Sequence, residues 1–198
     1  FYEDAYAKHG AAAIATTPDN GLALVVQGSG PLGEGVHFPS VRRLDPLGQE
    51  LWATSILDFE LGAVARDIAT LPDGAGFIVV GSATVPYTGM VVVGSPDELV
   101  VGLVVHIDDA GVVQATWTSD GTCGFGLNCN FEDGEFGFHA VAVSPDGQIA
   151  SVGVIETEDD DSAGTIGDSG SADNIGVVVL QDIAGADCDE GMSCVDNM

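Results

Sequence analysis

The sequence predicts an all-β protein made of repeated four-stranded antiparallel units, with the architecture of a β-propeller. Two observations carry this prediction. A Pro-Asp corner returns at Pro18, Pro72 and Pro145, with spacings of 54 and 73 residues, and each corner lies between two short apolar segments. The segments are rich in β-branched residues and are bounded by Gly, Pro and Asp, as strands are, while no amphipathic helical period of useful length occurs. A repeat of this kind indicates stacked supersecondary units.

Each unit carries its predicted strands in the same order. The first strand precedes the Pro-Asp corner, the second follows the corner and ends at glycine, and the third ends in Asp with Gly three residues later. Asp-x-x-Gly favours a tight hairpin, because the Asp side chain bonds its own turn and Gly adopts a positive φ. The predicted first strands are 12–15, 68–70 and 140–143, the second strands 22–28, 77–81 and 149–153, and the third strands 41–45, 103–108 and 177–182. A fourth strand carries Trp52 in segment 50–54 and Trp117 in segment 113–118.

We therefore expect a single domain over 1–198. Its units lie near 1–54, 55–118 and 119–198, with an insertion loop near 156–174. The third unit lacks a Trp strand, and Phe1-Tyr2 at the start of the chain is placed to supply a fourth strand to another unit. Three units are too few for known propeller closures. The segment then belongs to a longer propeller, or two copies complete a six-unit ring, or the units form a compact barrel or open array with charged edges.

The charge of the chain excludes several classes of partner. Asp and Glu number 31 and Lys and Arg only 4, which gives a net charge of −27. This field repels phosphate backbones and anionic lipids, so neither nucleic acid nor an acidic membrane surface is an expected partner. The longest apolar stretch, 90–107, is interrupted by Ser-Pro-Asp-Glu at 95–98, and membrane insertion is not expected. Without a signal-peptide pattern, and beginning at Phe1, the chain has the character of a mature or excised segment.

The four cysteines form two pairs with five residues between the partners, Cys123 with Cys129 and Cys188 with Cys194. Local disulfides are the favoured interpretation, although four cysteines allow three connectivities. Zinc ligands are typically two to four residues apart, and no His is close in sequence. Disulfides imply an oxidising compartment, so we expect a secreted or cell-surface protein, extracellular or periplasmic.

Two stretches carry a resemblance to a known family. Residues 67–74 read Asp-Ile-Ala-Thr-Leu-Pro-Asp-Gly and are followed by Val-Val-Gly-Ser at 79–82, and residues 105–111 read Val-His-Ile-Asp-Asp-Ala-Gly ahead of Trp117. This pattern resembles the bacterial extracellular β-propeller repeats of the SBBP type, found in large secreted proteins and lipoproteins of myxobacteria and similar organisms. The resemblance covers most of the chain and implies a secreted or surface binding module. It implies no catalytic residue, because the repeated positions are turn and core residues.

The densest acidic segment is the candidate metal site. Oxygen ligands in a glycine-rich loop suit Ca²⁺, which is the cofactor expected if this loop binds an ion. The alternative is a solvated insertion loop, since the Asp spacing of an EF-hand is absent. The candidate ligands are Glu158, Asp159, Asp160, Asp161 and Asp168.

Other chemistry has weaker support in the sequence. Paired carboxylates serve glycosidases, but with 31 carboxylates their proximity carries no information. The histidines show no metal-ligand spacing, and both tryptophans are expected to pack between sheets. The histidines are His9, His37, His106 and His139. The leading hypothesis is a non-enzymatic binding or structural module that recognises protein or carbohydrate at the extracellular surface or associates with itself, and the alternative is a hydrolase or lyase using loop carboxylates and Ca²⁺.

The charge of −27 leads to a first prediction. Raising NaCl from about 0.01 M to about 0.15 M shortens the Debye length from about 30 Å to about 8 Å, so carboxylate repulsion falls and the melting temperature should rise. Adding about 5–10 mM CaCl₂ at low salt should raise it as well. Thermal melts followed by circular dichroism measure both effects. A midpoint that moves with neither salt would contradict the electrostatic argument.

Overall fold

The computed structural model describes residues 10–29, 37–57, 59, 61–86, 98–119, 136–157, 172–180 and 192–194, and everything below refers to these residues. The protein is all-β, as predicted, with twelve strands in antiparallel sheets and one short 3₁₀ turn at Pro72–Gly74. No helix in this part of the chain is long and apolar enough to span a membrane.

The strands fall into three consecutive sheets. Unit 1 contains β1 (Gly10–Thr16), β2 (Leu22–Ser29), β3 (His37–Leu44) and β4 (Glu50–Ser55). Unit 2 contains β5 (Ala63–Thr70), β6 (Phe77–Pro86), β7 (Glu98–Ile107) and β8 (Val113–Ser119), and unit 3 contains β9 (Phe136–Val143), β10 (Ile149–Thr157) and β11 (Ala172–Leu180). Within each unit, consecutive strands are neighbours in the sheet. The predicted four-stranded antiparallel unit is therefore confirmed for units 1 and 2, whereas the described strands do not close into a ring.

The last strand, β12 (Met192–Cys194), does not extend unit 3. It pairs with the outer edge of unit 2, where Cys194 lies opposite Trp117 and Met192 opposite Ser119. The chain after β11 thus returns to cover the edge strand of the preceding sheet, which protects its unpaired backbone groups. The expected strand exchange by Phe1-Tyr2 lies outside the described residues.

The corners of units 1 and 3 have equivalent structures, and the corner of unit 2 differs from them. In units 1 and 3 the same two backbone hydrogen bonds close the corner, and the left-handed position is taken by Asn20 (φ 65°) and Gly147 (φ 87°). Asn tolerates this conformation better than most residues because its short side chain bonds locally. Unit 2 has one extra residue and forms its 3₁₀ turn instead. The Asp-x-x-Gly hairpins of units 1 and 2 behave as predicted, with positive φ at Gly48 and Gly111, and the third, at 182–185, lies outside the described residues.

One face of a sheet is directed toward the preceding unit of the chain and the other toward the following unit. We call the face that meets the following unit the forward face, and the face that meets the preceding unit the rear face. On the second strands, the forward-face residues are Ala23 and Val25 in unit 1, Ile78 and Val80 in unit 2, and Ala150 and Val152 in unit 3. The rear-face residues are Leu22 and Leu24, Phe77 and Val79, and Ile149 and Ser151. These sets alternate along each strand, as the period of a pleated sheet requires.

Two hydrophobic cores lie between successive units. The first joins the forward face of unit 1, including Val25 and Val41, to the rear face of unit 2, including Phe77 and Val79. The second joins the forward face of unit 2, including Val80, to the rear face of unit 3. The same forward-to-rear packing is therefore used twice, and the repeat in sequence is also a repeat in packing.

Residues four positions before each corner proline show the consequence for burial. Ile68 is 4% exposed against unit 1, and Val141 packs in the second core. The equivalent Ile14 is 59% exposed, because unit 1 has no preceding unit in the described chain. At the other end, Val152 on the forward face of unit 3 is 37% exposed. Within the described residues, the stack thus ends in a rear face that is exposed at Ile14 and a forward face that is exposed at Val152.

The burial of Ile68 leads to a prediction about stability. Ile68→Ala should lower the free energy of unfolding by about 2–5 kcal/mol, because it leaves a cavity between units 1 and 2. The matched control is Leu47→Ala, since Leu47 is 82% exposed in a turn and its loss should cost less than about 0.5 kcal/mol. Urea denaturation of both variants measures the difference. Equal stabilities would mean that units 1 and 2 do not share a core at this position.

Candidate functional site

An open depression of about 360 Å³ lies where the first strands of the three units come together. Strands β1, β5 and β9 each contribute to it, and β2 contributes one side chain. The lining residues are Ala12, Gln27, Val64, Ala65, Arg66 and His139. It is thus a feature of the assembled units and belongs to no single sheet.

Three of the lining residues occupy the same position of the repeat. Ala12, Arg66 and His139 each lie six residues before the corner proline. Each is also the extra residue of a β-bulge in its strand. In β1 the register passes from Ala11 to Ala13, in β5 from Ala65 to Asp67, and in β9 from Phe138 to Ala140, while the partner strand advances by one residue.

The bulges explain both the packing of the first strands and the exposure of these side chains. Ala65 and Ile68 are three residues apart, so an unbroken strand would direct them to opposite faces, yet both lie in the core against unit 1. The extra residue, Arg66, restores the alternation and is itself exposed, as are Ala12 and His139. Bulges re-aim side chains in this way and are common beside functional sites.

Two polar side chains fix the walls of the depression. The Gln27 amide donates from Nε2 to the Ala63 carbonyl at 2.9 Å, and its Oε1 accepts from the Ala65 N–H at 3.2 Å, so β2 of unit 1 is held on β5 of unit 2. Asp67 acts in the same way between units 2 and 3, because its carboxylate accepts the N–H groups of Ile68 at 2.9 Å and Val141 at 2.8 Å. Both side chains are thus engaged in holding successive units together.

Arg66 differs from the other described arginines in its ion pairing. Arg42 pairs with Glu50 at 3.1 Å and Arg43 pairs with Asp19 at 2.8 Å. Within the described ranges, no carboxylate lies within 4.0 Å of the Arg66 guanidinium. The depression therefore presents an exposed cation and an exposed imidazole in a protein whose net charge is −27.

Arg43 forms a second polar cluster, which is structural. The side chain is 5% exposed, donates to the Thr17 hydroxyl at 2.5 Å, and lies 3.7 Å from a carboxylate oxygen of Asp109 in unit 2. Its guanidinium carbon is 6.0 Å from the centre of the Phe77 ring. The hydrogen bond from Thr17, followed by that from Arg43, holds the pKa of Asp19 well below its usual range. This cluster joins units 1 and 2.

Both tryptophans pack between sheets, as predicted. Trp52 donates from Nε1 to the Asp109 carbonyl at 2.9 Å and meets the Phe77 ring edge to face at 5.9 Å. Trp117 is buried in the second core. The two residues are not strictly equivalent, because Trp52 lies opposite Arg43 whereas Ala115 occupies that place in unit 2, opposite His106. Neither side chain is available as an open stacking platform.

The residues predicted to bind metal, Glu158, Asp159, Asp160, Asp161 and Asp168, lie outside the described residues. Cys123, Cys129 and Cys188 lie outside them too, and of Cys194 only the strand pairing of its backbone is described. In the part of the chain that is described, no three His, Cys, Asp or Glu side chains are grouped so that they could hold a metal ion. The expected Ca²⁺ site and disulfides remain predictions.

The residue pattern by itself assigns no role to Arg66, and His139 stands in it only as a histidine without metal-ligand spacing. The sequence does contain one feature that relates the two residues, because each lies six residues before its corner proline. Aligning the units on that proline would have placed them at one level of the stack, although the bulges that expose them are not visible in the residue pattern.

Comparison with known proteins adds no further assignment, since no family model and no curated protein matches the chain significantly.

The lowered pKa values of the turn carboxylates predict a loss of stability in acid. Hydrogen bonds lower the pKa of Asp19 (first from Thr17, then Arg43), of Asp108 (first from the Val112 N–H) and of Asp146 (first from Ser144). A carboxylate with a lowered folded pKa stabilises the fold above the unfolded pKa of about 3.9. This contribution disappears as the pH falls through the folded pKa, so stability should decline below about pH 4.

The variant Asp19→Asn tests this assignment. Its stability should depend less steeply on pH than that of the wild type below about pH 4, because one strongly bonded carboxylate has been removed. Glu50→Gln changes the net charge by the same amount at an exposed pair with Arg42 and serves as the control. Urea midpoints measured from about pH 2 to about pH 6 give both slopes. If the two variants flatten the profile equally, the Asp19 cluster is not the source.

Proposed function

We propose that the protein is a propeller-like, non-enzymatic binding module of the extracellular surface, whose stack of units is completed by a second copy of the chain. The observation that carries this proposal is the repeated forward-to-rear packing of units 1, 2 and 3. A relation that is applied twice without closing leaves two unlike faces at its ends. Such faces suit head-to-tail association, in which one molecule's forward face meets another's rear face.

The uncovered forward face of unit 3 has the residues that a covered face has elsewhere. In unit 1 the forward face is formed by small apolar side chains that are wholly or partly buried against unit 2, namely Ala13, Ala15, Ala23 and Val25. At the equivalent positions unit 3 carries Ala140, Ala142, Ala150 and Val152. The same surface chemistry favours the same kind of neighbour, which is the rear face of another unit.

The uncovered rear face of unit 1 matches in kind. Ile14 is exposed there and Leu22 and Leu24 are half-buried, at positions where unit 2 has the buried Ile68, Phe77 and Val79. Contiguous apolar surface of this sort typically marks an interaction site. Two copies joined through both pairs of ends give six units, a number within the range of propellers.

A binding role rather than catalysis is favoured by how the described carboxylates are used. The Asp45 carboxylate accepts the N–H groups of Leu47 and Gln49, and Asp108 accepts those of Ala110 and Val112. Asp67 bridges two units in the same manner. These groups hold turns and strands, whereas general acid–base chemistry needs a carboxyl free to exchange a proton with substrate. The net charge and the cysteine spacing support an extracellular site, because both suit a soluble protein in an oxidising compartment.

The mass in solution tests the proposed closure. Sedimentation equilibrium should give twice the chain mass of 20.1 kDa. Ile14→Asp and Val152→Asp should each shift the protein toward the mass of one chain, because each places a charge in an apolar interface. Leu47→Asp adds the same charge at an exposed turn and should leave the mass unchanged. A wild type of single-chain mass at all concentrations would refute completion by a second copy.

A further inference from the structure

The depression at the three bulges has features that neither the packing of the units nor their closure requires. Ala12 shows that the repeat tolerates a methyl group at this position, since the β1 bulge forms around it. Arg66 and His139 occupy the equivalent positions in units 2 and 3 and are exposed. In the interfaces between units, other residues supply the described polar contacts, namely Gln27, Trp52 and Asp67. The long polar side chains at two bulges therefore have no described structural task.

The lining of the depression carries a cation, whereas the protein as a whole is strongly acidic. The chain has only 4 Lys and Arg residues against 31 acidic ones, yet Arg66 and His139 line one depression whose lining residues include no carboxylate. Asp67 is adjacent in sequence, but its carboxylate oxygens accept the N–H groups of Ile68 and Val141. The site is thus locally suited to a negative group.

The available donors narrow the class of ligand. The Gln27 amide already donates one N–H to the Ala63 carbonyl and accepts from the Ala65 N–H, so the cationic donor of the depression is the Arg66 guanidinium, with the His139 imidazole beside it. A guanidinium presents a planar fork that matches a carboxylate with two parallel hydrogen bonds. A multiply charged anion such as a phosphate monoester would be repelled more strongly by the field of the −27 chain. A single carboxylate both matches the planar fork of the guanidinium and carries only one negative charge.

The shape and the walls narrow it further. A volume of about 360 Å³ is near the lower end of the range for small-molecule sites. Ala12, Val64 and Ala65 supply apolar contacts beside the two polar side chains. The walls are also fixed in advance, since Gln27 and Asp67 hold the three units together on both sides, and preorganisation lowers the cost of binding.

From these observations we infer that the depression binds a small monocarboxylate, with Arg66 forming the bidentate contact and His139 donating a further hydrogen bond. The carboxylate is carried either by an acidic sugar or by a compact organic acid. The inference rests on the proposed binding role but not on ring closure, because all the lining residues belong to one chain. A single-chain mass in solution would therefore leave it intact, and absence of carboxylate binding would leave the oligomer measurement intact.

Titration with matched acids and neutral analogues tests the inference. Glucuronate against glucose probes the acidic sugar, and benzoate against benzamide probes the compact acid, each followed by calorimetry and by the NMR signals of His139 at constant ionic strength. At least one acid should bind about ten- to a hundredfold more tightly than its neutral partner, since a hydrogen bond to a charged group is lost in the neutral compound. The pair that shows the difference identifies the source of the carboxylate. Equal affinities within both pairs, or no binding of either acid, would overturn the inference.

Three variants locate the binding. Arg66→Gln should weaken the acid by about ten- to a hundredfold, and Arg66→Lys should weaken it less, because the charge is kept and the fork is lost. Arg42→Gln removes the same charge at an exposed pair outside the depression and should leave the affinity unchanged. Melting temperatures within a few degrees of the wild type establish that each variant is folded. Equal losses from the Arg66 and Arg42 substitutions would show that the acid responds to net charge rather than to this site.

Discussion

The structure depends on one constraint, which is that the sheet of unit 2 is apolar on both faces. Alternating side chains along β6 direct Phe77 and Val79 to one neighbour and Ile78 and Val80 to the other, so unit 2 is stable only as the middle layer of a stack. Burying both faces stabilises the folded state by about 25 cal/mol for each Å² of apolar surface removed from water. This is the main source of stability for a chain that has only 4 Lys and Arg residues to pair with its carboxylates. The constraint also sets the fate of the end units. In unit 2, the equivalent residues Ile68 and Val80 are covered by the neighbouring units. Ile14 and Val152 are exposed because the described chain has no unit before unit 1 and none after unit 3.

Apolar faces alone do not specify how far one sheet slides over the next, and here polar contacts supply that specification. Gln27 bonds two backbone groups of β5, Asp67 bonds one of β9, and Trp52 bonds the hairpin of the following unit. Each contact pairs a side chain with a backbone group, so a shift of one residue would leave a half-buried donor or acceptor without its partner, at a cost of about 1–3 kcal/mol. Arg43 adds an ion pair with Asp109 across the interface between units 1 and 2. The level of each bulge in the stack, and hence the depression, is set by these contacts.

Much of this architecture could be predicted from the residues. The corners at Pro18, Pro72 and Pro145, the Asp-x-x-Gly hairpins and the apolar runs are local signals, and they placed the strands of all three units nearly where they lie. What could not be predicted depends on contacts between distant segments. Nothing near Met192 indicates that β12 pairs with β8, because three residues carry too little pattern to select a partner. The bulge at Arg66 likewise becomes visible only when β5 is seen in register with β6. The exposure of Arg66 and His139 could not be predicted for that reason, although their equal distance from the corner prolines is visible in the sequence.

The candidate site illustrates how a repeat protein acquires a specific surface from a uniform scaffold. Core positions must be similar in every unit, because each packs against a copy of the same face, so they carry little information about a ligand. Bulge positions are freed from this requirement, since the extra residue lies outside the alternation that fills the core. The three bulge positions therefore carry different side chains, Ala12, Arg66 and His139, and the stacking of the units places all three in one depression. The chemistry of the site therefore resides in the departures from the repeat, and the repeat determines their position.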